Sequence, residues 1–171
     1  GEGLRVAEGT NPMTIAAIRL MVMTGCRRQE VLSLKKEYVE FEGSKLRLPD
    51  SKTGTREVPL GAGAPELLAH LCGLSSSYYV LPSHQDDKHF VSVPKIWAAI
   101  RKTIGMEEVR LHDLCHTFVS VAATSGESFL MIKAILSHKD QATTQRYAHL
   151  QDDPVKAVAD RTSATIAAAM V

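Results

Sequence analysis

A chain of 171 residues, of which 44% are apolar and 23% charged, has the composition of a single domain with a packed core and a solvated surface. Its formal net charge of +1 argues against a uniformly basic nucleic-acid binder, so any basic surface must be local. Three widely spaced cysteines without a CxxC pair argue against a disulfide framework and a structural zinc site. No apolar run approaches the roughly 20 residues of a membrane span, and we expect a soluble, cytoplasmic protein without a membrane partner.

The first third of the chain predicts a lead-in, two helices and a small sheet. Residues 1–11 have the character of a linker remnant, which ends in the asparagine cap and proline of a typical helix start. This helix is expected to end at Gly25, and a shorter one follows over about 27–35. Alternating apolar and polar residues then predict an antiparallel meander with Lys52 in its second turn. Its strands are expected at 38–41, 45–48 and 56–60.

The remainder of the chain is predicted to be helical, apart from a polar loop before the second of these helices. The helices are expected at about 64–72, 92–104, 112–124, 127–137, 140–147 and 154–169. The predicted fold class is therefore mainly α with a small three-stranded antiparallel β-sheet, an α+β fold that forms one domain over residues 12–171.

Two cationic positions in the first half of the chain could carry chemistry. Arg27 follows a glycine break and opens a helix, where the helix dipole disfavours a cation. It is either an ordinary solvated arginine or part of an anion site, in which backbone N–H groups and a guanidinium converge on a phosphate. Lys52 is either an exposed turn residue or a mobile cation that can also donate a proton.

The stretch LHDLCHTFVS, residues 111–120, collects two histidines, an aspartate and a cysteine. In a helix that begins near 112, His112, Cys115 and His116 share one face. Two histidines four residues apart can bind a metal, which leaves open a metal hydrolase built on His112, Asp113 and His116. Core or capping histidines are the ordinary alternative.

The stretch ILSHKDQATTQRYAHL contains two further candidates, His138 and Tyr147. Tyr147 is either an amphipathic surface residue or a phenolic nucleophile. A phenol with its ordinary pKa of about 10 is a poor nucleophile, so the second interpretation requires cations or a base nearby.

Four motifs occur in order along the chain: TGCRRQEVLSL, a KTG turn before a VPL strand, HDLCHTF, and LSHKDQATTQRYAHL. Over residues 12 to 150 they resemble the catalytic domain of the tyrosine recombinases, or phage integrases. The resemblance implies that Arg27 is the first catalytic arginine, in a TGxRxxE pattern completed by Glu30. It also implies that Lys52 is the lysine of the hairpin turn.

The last two motifs contain the other candidate site residues. His112 matches the start of the HxxR motif, and His138 matches the histidine of an LGH-type motif in which Ser137 replaces glycine. Tyr147 matches the nucleophile. Cys115 stands where the second catalytic arginine is expected, so the phosphate-handling site lacks one guanidinium.

The resemblance implies that DNA strands are broken and rejoined without metal or cofactor. Tyrosine attacks a phosphodiester and forms a 3′-phosphotyrosyl link, the lysine protonates the leaving 5′ oxygen, and the histidines orient the phosphate. Cysteine is short, ordinarily neutral and a weak donor, so we expect Cys115 to impair this activity. A catalytically inactive DNA-binding remnant or regulator is the alternative.

The resemblance also implies partners and a location. Family members act on double-stranded DNA as tetramers, which predicts self-association on DNA and a nucleoid-associated protein, although an isolated domain is compatible with a monomer. The predicted last helix, within PVKAVADRTSATIAAAM, would dock either on its own domain or on the next protomer. The family's N-terminal core-binding domain is expected to be absent from these residues.

Overall fold

The computed structural model describes residues 11–50, 54–84, 88–128, 131–132 and 135. Two short helices and a sheet follow the first long helix, and three longer helices complete the described fold. The elements are α1 (Pro12–Thr24), α2 (Arg28–Leu32), a 3-10 turn (Lys36–Tyr38), β1 (Val39–Glu40), β2 (Lys45–Asp50), β3 (Gly54–Pro59), α3 (Ala64–Gly73), α4 (Val93–Thr103) and α5 (Asp113–Thr124). The predicted fold class, mainly α with a small three-stranded antiparallel sheet, is confirmed.

Helix α1 forms the centre of the core. Its start is as predicted, because the Asn11 side chain accepts the N–H of Met13 at 2.9 Å and proline follows at the first helical position. It ends at Gly25, whose φ of 65° lies in the left-handed region that favours glycine. Buried side chains along its length pack against α2, α3, α4 and α5. The position of α1 is therefore fixed by the surrounding helices, while its two ends are set by local residues.

Helix α2 is shorter than the predicted 27–35. The Ser33 hydroxyl and N–H both donate to the carbonyl of Gln29, at 2.7 and 2.9 Å, and close the last turn. The chain then pairs with a segment that the sequence predicted as loop, since the N–H of Val80 donates to the carbonyl of Leu34 at 2.9 Å. Backbone pairing with a distant segment therefore ends α2 earlier than the helical spacing of its apolar residues predicts.

The sheet has the strand order β1-β2-β3, and both pairs are antiparallel. Leu46 lies opposite Val58 and Leu48 opposite Arg56, so these four side chains share the face that packs on the core. The other face carries an ion-pair network of Glu40, Lys45, Arg47 and Glu57. Arg56 is thus a charge on the buried face of an otherwise apolar strand pair.

Several predicted elements fall on residues whose structure is not described. The turn at 51–53, which contains Lys52, and the predicted helices at 140–147 and 154–169 lie outside the described residues. Of the predicted helix at 127–137, residues 131, 132 and 135 are helical. Within the described ranges, no helix has both the length and the apolar character needed to cross a membrane.

Candidate active site

Arg27 lies at the surface in the turn between α1 and α2, and the residues just before it are buried. The Thr24 hydroxyl donates to the carbonyl of Leu20 at 2.6 Å and accepts the N–H of Cys26 at 3.2 Å. Thr24 and Cys26 are both buried, whereas 58% of the Arg27 side chain is exposed. A turn held by two hydrogen bonds of the Thr24 hydroxyl therefore carries an arginine side chain that is more than half exposed.

Glu30 organises this corner from one helical turn further along. Its Oε2 accepts the backbone N–H of Arg27 at 2.6 Å, as expected for a glutamate in the first turn of a helix. Its Oε1 lies 3.8 Å from Nη1 of Arg27 and 2.5 Å from Nη1 of Arg56. The spacing of three residues between Arg27 and Glu30 therefore has a physical reason. It lets the Glu30 carboxylate accept the backbone N–H of Arg27 at the start of α2.

The start of α5 carries the histidine cluster. His112 occupies the capping position, and its ring meets that of His116 edge to face, with 4.8 Å between the ring centroids. His112 is exposed and His116 half-buried. The two rings therefore lie on one side of the helix, as the spacing of four residues predicts.

Cys115 faces the Arg27 corner rather than solvent. Its thiol donates to the backbone carbonyl of Cys26 at 2.9 Å. Burial raises the pKa of Cys115, with a smaller contribution from the Glu30 carboxylate. The group at this position is consequently a neutral thiol at neutral pH, and it supplies no positive charge to an anion.

The neighbouring thiol of Cys26 is also held neutral. Burial raises its pKa to about 11, against a favourable hydrogen bond with Thr24. Neither thiol next to Arg27 therefore has the low pKa of a reactive cysteine.

The structure brings together Arg27 and Cys115, two of the six residues singled out in the sequence, with His112 one turn before Cys115. The other three, Lys52, His138 and Tyr147, lie outside the described residues, and their place in the site stays a prediction.

The metal-site alternative finds no support in the described parts of the chain, where no group of three His, Cys, Asp or Glu side chains could hold a metal ion. Asp113 is engaged elsewhere, since its carboxylate accepts the backbone N–H of Arg110 at 2.8 Å and two guanidinium N–H groups at 3.0 and 3.3 Å. The hydrogen bond with the Arg110 side chain is the main reason that the pKa of Asp113 is lowered.

Arg56 lies next to the site and was not among the residues predicted for it. Only 8% of it is exposed, and it contacts Glu30 from the core face of β3. A signal was present, because the alternation in TREVPL places Arg56 on the same side as Val58 and Leu60. A charge in phase with apolar strand residues indicates a buried ion pair.

Comparison with known proteins identifies the family to which this chain belongs. The sequence pattern of the phage integrase family matches residues 5–153. Tyrosine recombinase XerA of Saccharolobus solfataricus is 27% identical over 143 residues, which cover 81% of this chain and 46% of that protein. The chain thus spans about half the length of this relative.

Solved structures show the same fold. A crystal structure of XerA recombinase matches 94% of this chain and 62% of its own, with a TM-score of 0.72 and 24% identity. A structure of the Tn1549 transposon integrase in complex with transposon right end DNA matches 94% and 63%, with a TM-score of 0.72 and 17% identity. With most of its length matched by the family pattern and its fold shared with these recombinases, the chain belongs to the phage integrase family of tyrosine recombinases.

Proposed function

We propose that this chain is the catalytic domain of a site-specific DNA recombinase, and that Cys115 slows its chemistry. In this proposal Tyr147 attacks a DNA phosphodiester, the 3′-phosphate becomes linked to the tyrosine, and a 5′ hydroxyl leaves. Attack of another 5′ hydroxyl on that link restores the strand. The observation that carries the proposal is the Arg27 corner, where an exposed guanidinium, its glutamate partner and Cys115 meet within a fold of this family.

The chemical demand is stabilisation of negative charge on a five-coordinate phosphorus. Arg27 would contribute one bidentate guanidinium to the non-bridging oxygens. Lys52 would protonate the leaving 5′ oxygen, and His112 and His138 would orient the phosphate and exchange protons. The proposal assigns no step to a metal, and rejoining needs no cofactor because the tyrosyl link retains the energy of the broken phosphodiester.

Cys115 limits this reaction because a neutral thiol replaces a charged donor. Loss of one preorganised donor costs roughly 3–4 kcal/mol in comparable oxyanion sites. That deficit corresponds to a rate loss of about two to three powers of ten.

Double-stranded DNA is the partner we propose. The support is the likeness to a transposon integrase solved with DNA and to proteins named as recombinases. Binding would depend on phosphate contacts and would weaken as salt concentration rises. We further propose self-association on DNA, with a tetramer as the active species, and a place at the nucleoid in the cytoplasm.

A second candidate function is a DNA-binding regulator that has lost catalysis. One observation favours it: the buried Cys115 thiol donates a hydrogen bond to the Cys26 carbonyl at 2.9 Å, so the fold accommodates the thiol. Under this proposal the chain binds DNA but never becomes covalently attached to it.

Trapping on a nicked duplex distinguishes the two functions. The substrate loses a short 3′ fragment after cleavage, which prevents rejoining and accumulates the covalent product. We expect slow adduct formation, with the attached nucleotide mapped by mass spectrometry to Tyr147. Adduct on another residue, or none from either this chain or its Cys115→Arg variant, would exclude the recombinase proposal.

A further inference from the structure

Two buried cysteines meet behind the turn that carries Arg27, and the proposed chemistry uses neither thiol. Cys26 comes from that turn and is 1% exposed, whereas Cys115 comes from α5 and is 6% exposed. The Cys115 thiol donates to the backbone carbonyl of Cys26, although the two residues are 89 positions apart in sequence. Both are free thiols. The fold therefore brings two oxidisable groups from distant segments together inside one hydrophobic core.

We propose that Cys26 and Cys115 form a reversible disulfide in the folded chain when it meets a low-molecular-weight disulfide. The cysteine at the position of the expected arginine thus makes the turn that carries Arg27 sensitive to oxidation. This modification site is independent of the proposed function, because it concerns two side chains of the described fold and needs no DNA.

The hydrogen bond between the two residues limits how far apart their backbones can be. The Cys115 sulfur lies 2.9 Å from the carbonyl oxygen of Cys26. A carbonyl oxygen is about 2.4 Å from its own Cα and a cysteine sulfur about 2.8 Å from its own, so the two Cα atoms are at most roughly 8 Å apart. Disulfides span Cα separations of about 4.4–6.8 Å. Even at the upper limit, rotation of the Cys115 side chain and a backbone shift of roughly 1 Å would allow the bond.

Thiol–disulfide exchange would form the bond in two steps. The Cys115 sulfur, the less buried of the two, loses its proton and attacks one sulfur of the small disulfide. This step releases one small thiol and leaves a mixed disulfide on Cys115. The Cys26 sulfur then loses its proton and attacks the Cys115 sulfur, which releases the second small thiol. The two cysteines are oxidised, the small disulfide is reduced, and the two protons end on the released thiols.

Burial slows this exchange. It is the main reason that the pKa of both thiols is raised, to about 11 for Cys26, so little reactive thiolate is present at neutral pH. We therefore expect oxidation over hours rather than seconds. In the product neither sulfur can ionise. The loss is one weak hydrogen bond, from the Cys115 thiol to the Cys26 carbonyl.

The disulfide would join two segments of the candidate site. It ties the residue before Arg27 to α5, one helical turn after His112. It also closes a loop between residues 89 positions apart, which restricts the unfolded chain and so stabilises the folded one. An arginine at position 115 could not form this bond. The redox sensitivity is therefore a consequence of the cysteine.

Peptide mapping after oxidation of the native chain tests the site directly. The full chain is incubated with oxidised glutathione near neutral pH, the remaining thiols are alkylated with N-ethylmaleimide, and a non-reduced tryptic digest is analysed by mass spectrometry. We expect the main linked species to join the peptide of Cys26 to that of Cys115. Cys72, a half-buried thiol on α3, should carry glutathione or N-ethylmaleimide instead. Alkylation of both Cys26 and Cys115, or glutathione on each, would overturn the proposal.

Oxidation in urea is the matched control, because it separates pairing imposed by the fold from pairing by chance. Shorter loops close more readily in an unfolded chain, and Cys72 lies about midway in sequence between the other two cysteines. Disulfides of Cys72 should therefore predominate in urea. The native chain should favour Cys26–Cys115 over either of them by about tenfold or more. The same distribution of disulfides in both conditions would count against a site built by the fold.

Thermal unfolding gives a second readout. The oxidised chain should unfold about 5–15 °C above the reduced chain, since a long loop is closed, and dithiothreitol should reverse the increase. Cys72→Ser should keep the increase, whereas Cys26→Ser and Cys115→Ser should lose it. If either of the last two variants does not fold, the oxidised and reduced forms of the unaltered chain decide. A linked chain that unfolds at the same or a lower temperature than the reduced chain would contradict a cross-link compatible with the native fold.

Discussion

The thiol of Cys115 on α5 donates a hydrogen bond to the backbone carbonyl of Cys26, 2.9 Å away, at the residue that precedes Arg27. The contact joins two segments 89 residues apart in sequence. It places the position of the expected second arginine directly against the turn that carries the first. The side chain at position 115 therefore contributes to the charge beside Arg27, together with the Glu30 carboxylate.

The support under Arg27 should be sensitive to loss of the Thr24 hydroxyl. Thr24→Val keeps the shape but leaves the buried N–H of Cys26 without its 3.2 Å partner. An unsatisfied buried donor costs about 1–3 kcal/mol, so the free energy of unfolding should fall by that amount. Urea denaturation measures the loss.

Thr117→Val is the matched control, since the Thr117 hydroxyl makes a comparable bond to the Asp113 carbonyl at 3.3 Å on an exposed helix face. We expect a change within about 0.5 kcal/mol for this variant. Equal losses in the two variants would show that the buried corner has no special dependence on Thr24.

Alkaline pH should destabilise the fold through Cys26. Its pKa is raised from 9.0 to about 11 by burial, so the folded protein holds this proton more tightly than the unfolded chain. The stabilisation is fully present below pH 9 and is lost as pH rises toward 11, by at most about 3 kcal/mol.

Cys26→Ala should remove this part of the pH dependence, and Cys72→Ala, at a half-buried thiol, should remove less of it. The free energy of unfolding measured by urea between pH 8 and 11 provides the comparison. A slope that is the same with and without Cys26 would rule out its titration as the cause.

Some of the structure follows from local sequence, and the rest depends on distant pairing. The start and end of α1 are set by a cap, a proline and a glycine, which a short window of sequence contains. The early end of α2 was not predictable in this way, because Leu34 is drawn into pairing with residue 80. The burial of Arg56 was predictable from the alternation of its strand, but its partner was not, since Glu30 lies 26 residues away.

In the candidate site, too, some features were predictable from the sequence and others were not. The proximity of Cys115 to Arg27 was expected from the order of motifs, but the hydrogen bond of the thiol was not. No sequence pattern predicts that a thiol donates to the backbone carbonyl of a residue 89 positions away.

The C-terminal segment provides a test of assembly. Small apolar residues in the predicted last helix suit docking on a neighbouring protomer, in a ring of heterologous contacts that closes. Deleting residues 155–171 should leave the thermal unfolding transition cooperative but abolish complexes larger than one protomer on DNA. Gel-shift and light-scattering measurements provide the readout, and larger complexes that persist after the deletion would eliminate this role.

The metal content of the purified protein tests the metal-hydrolase alternative. Because Asp113 is held by Arg110, the purified chain should contain far less than one equivalent of zinc, manganese or nickel by elemental analysis. Asp113→Asn should lower the free energy of unfolding by less than about 1 kcal/mol, the usual range for an exposed ion pair. Stoichiometric metal that disappears in this variant would favour the hydrolase.

The most direct test of the central claim compares covalent adduct formation by this chain and by its Cys115→Arg variant on the same nicked duplex at saturating protein. We expect the arginine variant to react about 100 to 1000 times faster at similar DNA affinity. Cys115→Ala, which removes the thiol without adding charge, should stay slow, and Tyr147→Phe in the arginine background should abolish the adduct. Equal rates for the unaltered chain and the arginine variant would contradict the claim that position 115 supplies transition-state charge.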